Sequence, residues 1–185
     1  MKKKVSKVTF DLISLFQTVS MTLVSVDTVS IEKDKNNLEG MINTLDKDLK
    51  NADKKDWKIV FGYYPCHSGV CYSVYLPSYN ILQEKVEPVM KKQKADFYLS
   101  GHDHNLQHWV TKGNSRGVKH ITTGAVIRSS KKDQNVRKNE AKGVELKFFE
   151  EQYGFTYFVV NKGEISVYFV NSNGEVIHHF TRERH

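Results

Sequence analysis

Covalent staples are scarce in this chain: its 185 residues include only 2 cysteines and 3 prolines. A disulfide framework is thereby excluded, and stability must come from a buried apolar core, which a chain of this length can form as one domain. Cys66 and Cys71 lie close enough to close a small loop in an oxidising compartment or to remain free thiols, and their spacing is compatible with both. Long apolar runs are also missing. No stretch of about 18 uncharged apolar residues occurs, so neither a membrane-spanning helix nor a membrane partner is expected. There is no Asn-x-Ser/Thr acceptor. Residues 1–26 begin basic and continue apolar, but Asp11, serines and Gln17 interrupt them and no small-residue cleavage site follows, so they are not read as a signal peptide. The compartment is left unassigned.

Charge is plentiful and unbalanced. Lys and Arg number 28 against 21 Asp and Glu, a formal net charge of +7. Such an excess favours anionic ligands, but the basic runs at 2–4, 91–94 and 131–132 are scattered and not interleaved with aromatics. They are read as solvated lysine, and no specific nucleic acid is expected.

Hydrophobic patterning predicts a layered α/β or α+β sandwich. Residues 7–12 and 21–26 are rich in β-prone side chains. Leu38, Met41, Ile42, Leu45 and Leu49 fall at helical spacing on an otherwise polar stretch, giving an amphipathic helix with no assigned chemistry. Residues 57–62 form a buried strand running into a turn at 62–65. Ile81, Leu82, Val86, Val89 and Met90 give a second helix, with Pro88 ending or kinking an early turn. Strands follow at 97–99 and 118–122, and residues 128–143 are read as an exposed loop. The last forty or so residues alternate as strands at 155–160, 164–170 and 175–181, joined by tight turns into an antiparallel β-meander.

The chemistry gathers in Ser100-Gly101-His102-Asp103-His104-Asn105-Leu106-Gln107-His108, just past the strand at 97–99. In open α/β sheets, functional groups collect at the carboxyl ends of strands. Two imidazoles one residue apart can converge from a tight loop, and imidazole nitrogen suits zinc and iron, so His102 and His104 are candidate metal ligands. Asp103 is a candidate for orienting an imidazole from behind. His67 is read as a solvated loop histidine, and His178, His179 and His185 are not assigned as ligands.

The string DFYLSGHDHNLQH resembles the final metal-ligand motif of the purple acid phosphatases, specifically the tartrate-resistant acid phosphatase type within the calcineurin-like metallophosphoesterases. Asp27-Thr28-Val29 and Thr123-Gly124-Ala125 are similar to further family segments, although Val126 replaces a glycine. Gly62-Tyr63-Tyr64-Pro65 resembles the family's Gly-His-x-Pro segment, with Tyr63 at the position of a ligand histidine of the divalent metal. A neutral phenol is a poor ligand, so Tyr63 is a degenerate metal position, expected to weaken or abolish the second site and to pack at a turn. Tyr75 similarly stands where a substrate-facing histidine is expected.

The resemblance implies a dinuclear centre of iron with iron, zinc or manganese acting on phosphate monoesters, with His104 at the ferric and His102 at the divalent site. It also implies a protein that is secreted or lysosomal. None of the eleven glycines precedes Asp, so the family's Gly-Asp-x-Gly and Gly-Asp-Asn-x-Tyr motifs are absent. Its Gly-Asn-His-Asp/Glu motif is absent too. Residues 1–185 therefore read as a single partial domain, the C-terminal part of a metallophosphoesterase fold, inactive or nearly so alone. The surface left by the missing half is a candidate site for a protein partner. The competing expectation is a non-catalytic phosphatase-fold binding or interaction module. A third is a single-metal site in which Tyr63, His102 and His104 hold zinc or ferric iron.

Overall fold

Strand β2 (Thr18–Val26) divides its side chains between two cores, as a period-2 element inside a layered structure must. Val24 and Val26 enter one core, Val19 and Met21 the other. Strands β3 (Trp57–Gly62) and β4 (Phe97–Ser100) repeat the division, with Val60 and Tyr98 on the first side and Trp57, Ile59 and Phe97 on the second. These features come from a computed structural model that describes residues 7–13, 18–31, 35–70, 77–114, 116–125 and 143–184; for residues 7–13, 18, 35 and 36 the description is of the backbone. Cys71, Tyr75 and residues 126–142, which hold nearly all of the expected loop at 128–143, lie outside the described residues.

The larger sheet also contains β1 (Lys7–Ile13), β5 (Leu106–Thr111), β6 (Lys119–Thr123) and β7 (Val144–Glu150). Its order is β1-β2-β3-β4-β6-β5-β7, with β2, β3, β4 and β6 parallel and the outer pairings antiparallel. A second sheet holds β8 (Gly154–Val160), β9 (Glu164–Asn171) and β10 (Val176–Glu183) as the expected antiparallel meander. The architecture is thus the mixed α/β sandwich read from the pattern. Strands β5 and β7 escape that pattern because β5 is buried along both faces and carries Gln107 and His108 inside, so no apolar alternation marks it.

Helices cover the face of the larger sheet that bears Val60 and Tyr98. Helix α1 (Lys35–Lys50) sends Met41, Leu45 and Leu49 into that core at the predicted spacing. The second helical region is three short pieces: α2 (Pro77–Ile81), a π-helical turn (Leu82–Val86) and α3 (Glu87–Lys92). The Glu87 N–H bonds the Leu82 carbonyl, five residues back, and Pro88 falls in the first turn of α3, where its missing N–H does no harm. The π-turn re-phases the helix so that Leu82, Val86, Glu87 and Met90 are all buried.

The two sheets are joined by packing and by polar ties. Ile165, Val167 and Phe169 of β9 meet Phe97, Leu106 and Ile121 of the larger sheet. Trp57 donates from Nε1 to the Asn161 carbonyl at 2.8 Å, with the Arg184 guanidinium 4.5 Å from its ring centroid. Arg182 on β10 reaches across to the Asp96 carboxylate at 3.2 Å and to the carbonyls of Arg116 and Gly117. His108 stacks on Phe180 with centroids 3.8 Å apart and approaches His178 at 3.1 Å. Burial, reinforced by His178, pushes the His108 imidazole down to about 2.

Truncating one partner of a buried charge pair strands the other, so Arg182→Ala is expected to cost about 3 kcal/mol in urea denaturation, against under about 1 kcal/mol for Arg184→Ala. An unfolded chain protonates His108 below about pH 6.5, whereas the folded chain resists until about 2. The contribution of His108 is therefore complete above pH 6.5 and lost progressively as the pH falls. By pH 4.5 the loss amounts to roughly 2–3 kcal/mol. His108→Phe should flatten the fall of the urea midpoint between pH 7 and pH 4.5.

Candidate functional site

The parallel register aligns the carboxyl ends of four strands: Val26 pairs with Gly62, Gly62 with Ser100 and Ser100 with Thr122. The segments that follow, Asp27-Thr28, Tyr63-Tyr64, Gly101 to Asn105 and Gly124-Ala125, therefore share one edge. The Thr28 hydroxyl oxygen accepts from the backbone N–H of both Tyr63 and Tyr64 at 2.9 Å, and the Tyr98 hydroxyl donates to the Tyr64 carbonyl at 2.7 Å. A Cβ at Gly62 would lie 2.6 Å from Thr28 and 2.8 Å from the Tyr98 hydroxyl. The bare backbone there lets the turn close.

His102 adopts a left-handed backbone, φ 61°, which turns the chain sharply beyond β4. Its ring lies edge-on to Tyr63 and Tyr64, with centroids 5.2 and 4.7 Å away, and partial burial lowers its imidazole. His104 is likewise partly buried. The loop is held from beneath. Asp103, fully buried, accepts from the Ser68 hydroxyl at 2.5 Å and from the Gln107 amide at 2.9 Å. Gln107 also donates to the Asn105 side chain and accepts from the Gly69 N–H and the Trp109 indole, so its buried amide is fully bonded. Asp103 thus anchors the loop, and its charge favours the protonated form of His102.

Two imidazoles are too few donors to hold a pair of metal ions. Among the described residues, His102 and His104 are joined by no third His, Cys, Asp or Glu close enough to complete a three-donor group. Tyr63, half exposed, presents a ring edge to His102.

A three-donor group does exist elsewhere. His67, Glu87 and His120 are buried beneath the helices, with donor atoms within 4.8 Å of one another. The expectation that His67 is solvated is corrected: it is only 3% exposed. Its Nε2 lies 3.2 Å from Glu87 Oε1, and His120 Nε2 lies 3.4 Å from the same oxygen. Lys91, half exposed, reaches that oxygen at 2.9 Å. Burial alone would raise the Glu87 carboxyl, but contacts with His120 and His67 hold it well below the carboxylate range. Sequence spacing carries no sign of this cluster, because its members come from a loop, a helix and a strand. The one hint is His120 beside Ile121 in the short strand Lys119–Thr123. Cys66 beside it is a buried free thiol whose pKa burial pushes up.

The architecture and the His-Asp-His loop define a phosphatase-type fold. No family model matches the chain. Purple acid phosphatase 4 of Arabidopsis thaliana is 27% identical over 144 residues, 78% of this chain and 39% of that protein. Tartrate-resistant acid phosphatase type 5 of Sus scrofa is 27% identical over 126 residues, 67% of this chain and 35% of that protein. Glideosome-associated protein 50 of Plasmodium falciparum is 32% identical over 138 residues, 74% of this chain and 31% of that protein. Among solved structures, Plasmodium GAP50, titled the anchor in the inner membrane complex, superimposes with TM-score 0.78 at 22% identity, covering 100% of this chain and 56% of that one. A purple acid phosphatase from yellow lupin superimposes with TM-score 0.64 at 14% identity over 90% of this chain and 31% of that one. The chain is a relative of the purple acid phosphatases, and what it matches fits a C-terminal portion of them. It spans well under half the length of the curated relatives it matches.

A Cβ at Gly124 would lie 2.1 Å from the Asp103 carbonyl, directly under the histidine loop. Gly124→Ala is expected to destabilise the fold by roughly 2 kcal/mol and to shift the His102 and His104 imidazole resonances, while Gly163→Ala, in open space, should do neither.

Proposed function

We propose that this chain is the C-terminal portion of a tartrate-resistant acid phosphatase-like metallohydrolase that contributes His102 and His104 to a centre acting on phosphate monoesters. On this reading the 185 residues alone turn over little or no substrate. The observation that carries it is the loop itself: two imidazoles at the carboxyl edge of the parallel strands, on a left-handed turn braced by Asp103, Ser68 and Gln107. Support comes from the purple acid phosphatases among its relatives. Tyr63 beside His102, and the missing third donor among the described residues, support the need for further ligands.

A second reading, a non-catalytic interaction module, is favoured by one feature of the smaller sheet. Phe155, Tyr157 and Val159 are 51%, 39% and 46% exposed along one face of β8, the terminal strand of that sheet's order. An apolar stripe on a strand that pairs with one strand only among the described residues is a natural seat for another chain. The likeness to Plasmodium GAP50, the anchor in the inner membrane complex of that organism, points the same way.

Phosphomonoesterase turnover of the purified chain, supplied with ferric iron and zinc, separates these readings. The expected result is a rate equal to that of a His102→Ala/His104→Ala control. Turnover well above the control would make the chain a self-sufficient enzyme and overturn the proposed dependence on further ligands. A tenfold or greater gain over the control when the N-terminal portion of a relative is added would support the hydrolase reading. No gain, together with capture of that portion lost on Tyr157→Lys, would support the interaction reading.

A further inference from the structure

We propose that His67, Glu87 and His120 form a buried site for a single divalent transition-metal ion of the zinc class, separate from the His102/His104 loop. Two imidazoles and a carboxylate are the donor types zinc takes, and three protein donors leave one position of a tetrahedron open. The spacing argues for an ion rather than for direct bonding alone. A charge-assisted hydrogen bond from imidazole to carboxylate settles near 2.7–2.9 Å, yet the two nitrogens stand 3.2 and 3.4 Å from Glu87 Oε1. Zinc–nitrogen and zinc–oxygen bonds of about 2.0–2.1 Å in a tetrahedron put neighbouring donors roughly 3.3 Å apart. Those two distances bracket that edge, while the two imidazole donors, within 4.8 Å of each other, would draw together when the ion enters.

Two further observations add to the spacing. His120, only 3% exposed, has no hydrogen-bond partner at Nδ1 and, at Nε2, only the loose 3.4 Å approach to Glu87 Oε1. A buried imidazole so poorly satisfied is costly, and an ion at Nε2 would remove part of that cost. Glu87 is buried directly after the π-turn at Leu82–Val86, and such turns recur at functional sites. Around the donors, the Gln83 amide nitrogen donates to the Cys66 carbonyl at 2.7 Å and stands 3.4 Å from His67 Nδ1; with an ion on Nε2 that Nδ1 carries the proton, so this amide nitrogen is not its acceptor. His120 is the register partner of Tyr98 on β6, so the sheet fixes its position. Lys91 is the competitor: its ammonium holds Glu87 at 2.9 Å and must swing out to solvent, where about half of it already lies, when the ion enters.

The test is titration of the metal-free 185-residue chain with cobalt(II), read by its visible ligand-field absorption, followed by displacement with zinc(II). One equivalent with the strong absorption of four-coordinate cobalt is expected, unchanged in the His102→Ala/His104→Ala variant and at least tenfold weaker in Glu87→Gln and His120→Gln. Lys91→Met should bind as tightly as the unaltered chain or more so, because it removes the competing cation. A purely hydrogen-bonded cluster would give no such absorption. Imidazole nitrogen resonances of the unaltered protein provide a readout that needs no variant: Nε2 of His67 and His120 should shift on zinc addition. No stoichiometric cobalt, unmoved His67 and His120 resonances, or binding that disappears with His102 and His104 would each overturn the site.

Discussion

The register of four parallel strands is the constraint on which the rest depends. Because Val26, Gly62, Ser100 and Thr122 lie in line, every loop that bears chemistry leaves the sheet at the same edge. A one-residue slip would send Tyr98 and His120 to the opposite face and empty the helix-side core. The edge is then locked by side chains that cannot be exchanged freely. Thr28 accepts both amides of the tyrosine turn, and Gln107 uses all its hydrogen-bonding capacity to join Asp103, Asn105, Gly69 and Trp109. Buried polar groups so completely satisfied give a rigid, specific loop.

The same constraint explains how polar residues come to be buried on both sides of the sheet. On the helix side, His120 alternates with Ile121 and faces Glu87, while Ile121 enters the core between the sheets. On the far side, His108 lies flat against Phe180 and ties β5 to β10. Histidine here is structural mortar as well as a candidate ligand, and its location in the layers decides which.

Much of this is legible in the sequence, where local pattern and local structure agree. Leu45 and Leu49 mark the buried stripe of α1, and Ile165, Val167 and Phe169 the inner face of β9. The histidine loop is legible too, since all its members are contiguous. What escapes shares one cause: contacts made across the chain. β5 shows no alternation because Gln107 and His108 are both buried. In the second helix the sequence marks only Pro88 as an end or kink, and the π-turn goes unmarked because it is a property of the Leu82 carbonyl and the Glu87 amide, not of composition. His67, expected in solvent, is buried by partners sixteen and more positions away.

Two clusters of donors thus have different proposed roles: an edge loop that would complete a centre only with ligands from elsewhere, and a buried trio that would hold an ion by itself. Anomalous diffraction at the zinc edge from crystals of the chain grown with zinc tests that separation most directly. One strong peak is predicted between His67, Glu87 and His120. A pair of peaks about 3.5–4 Å apart at His102 and His104, the spacing of a two-metal hydrolase, would contradict it.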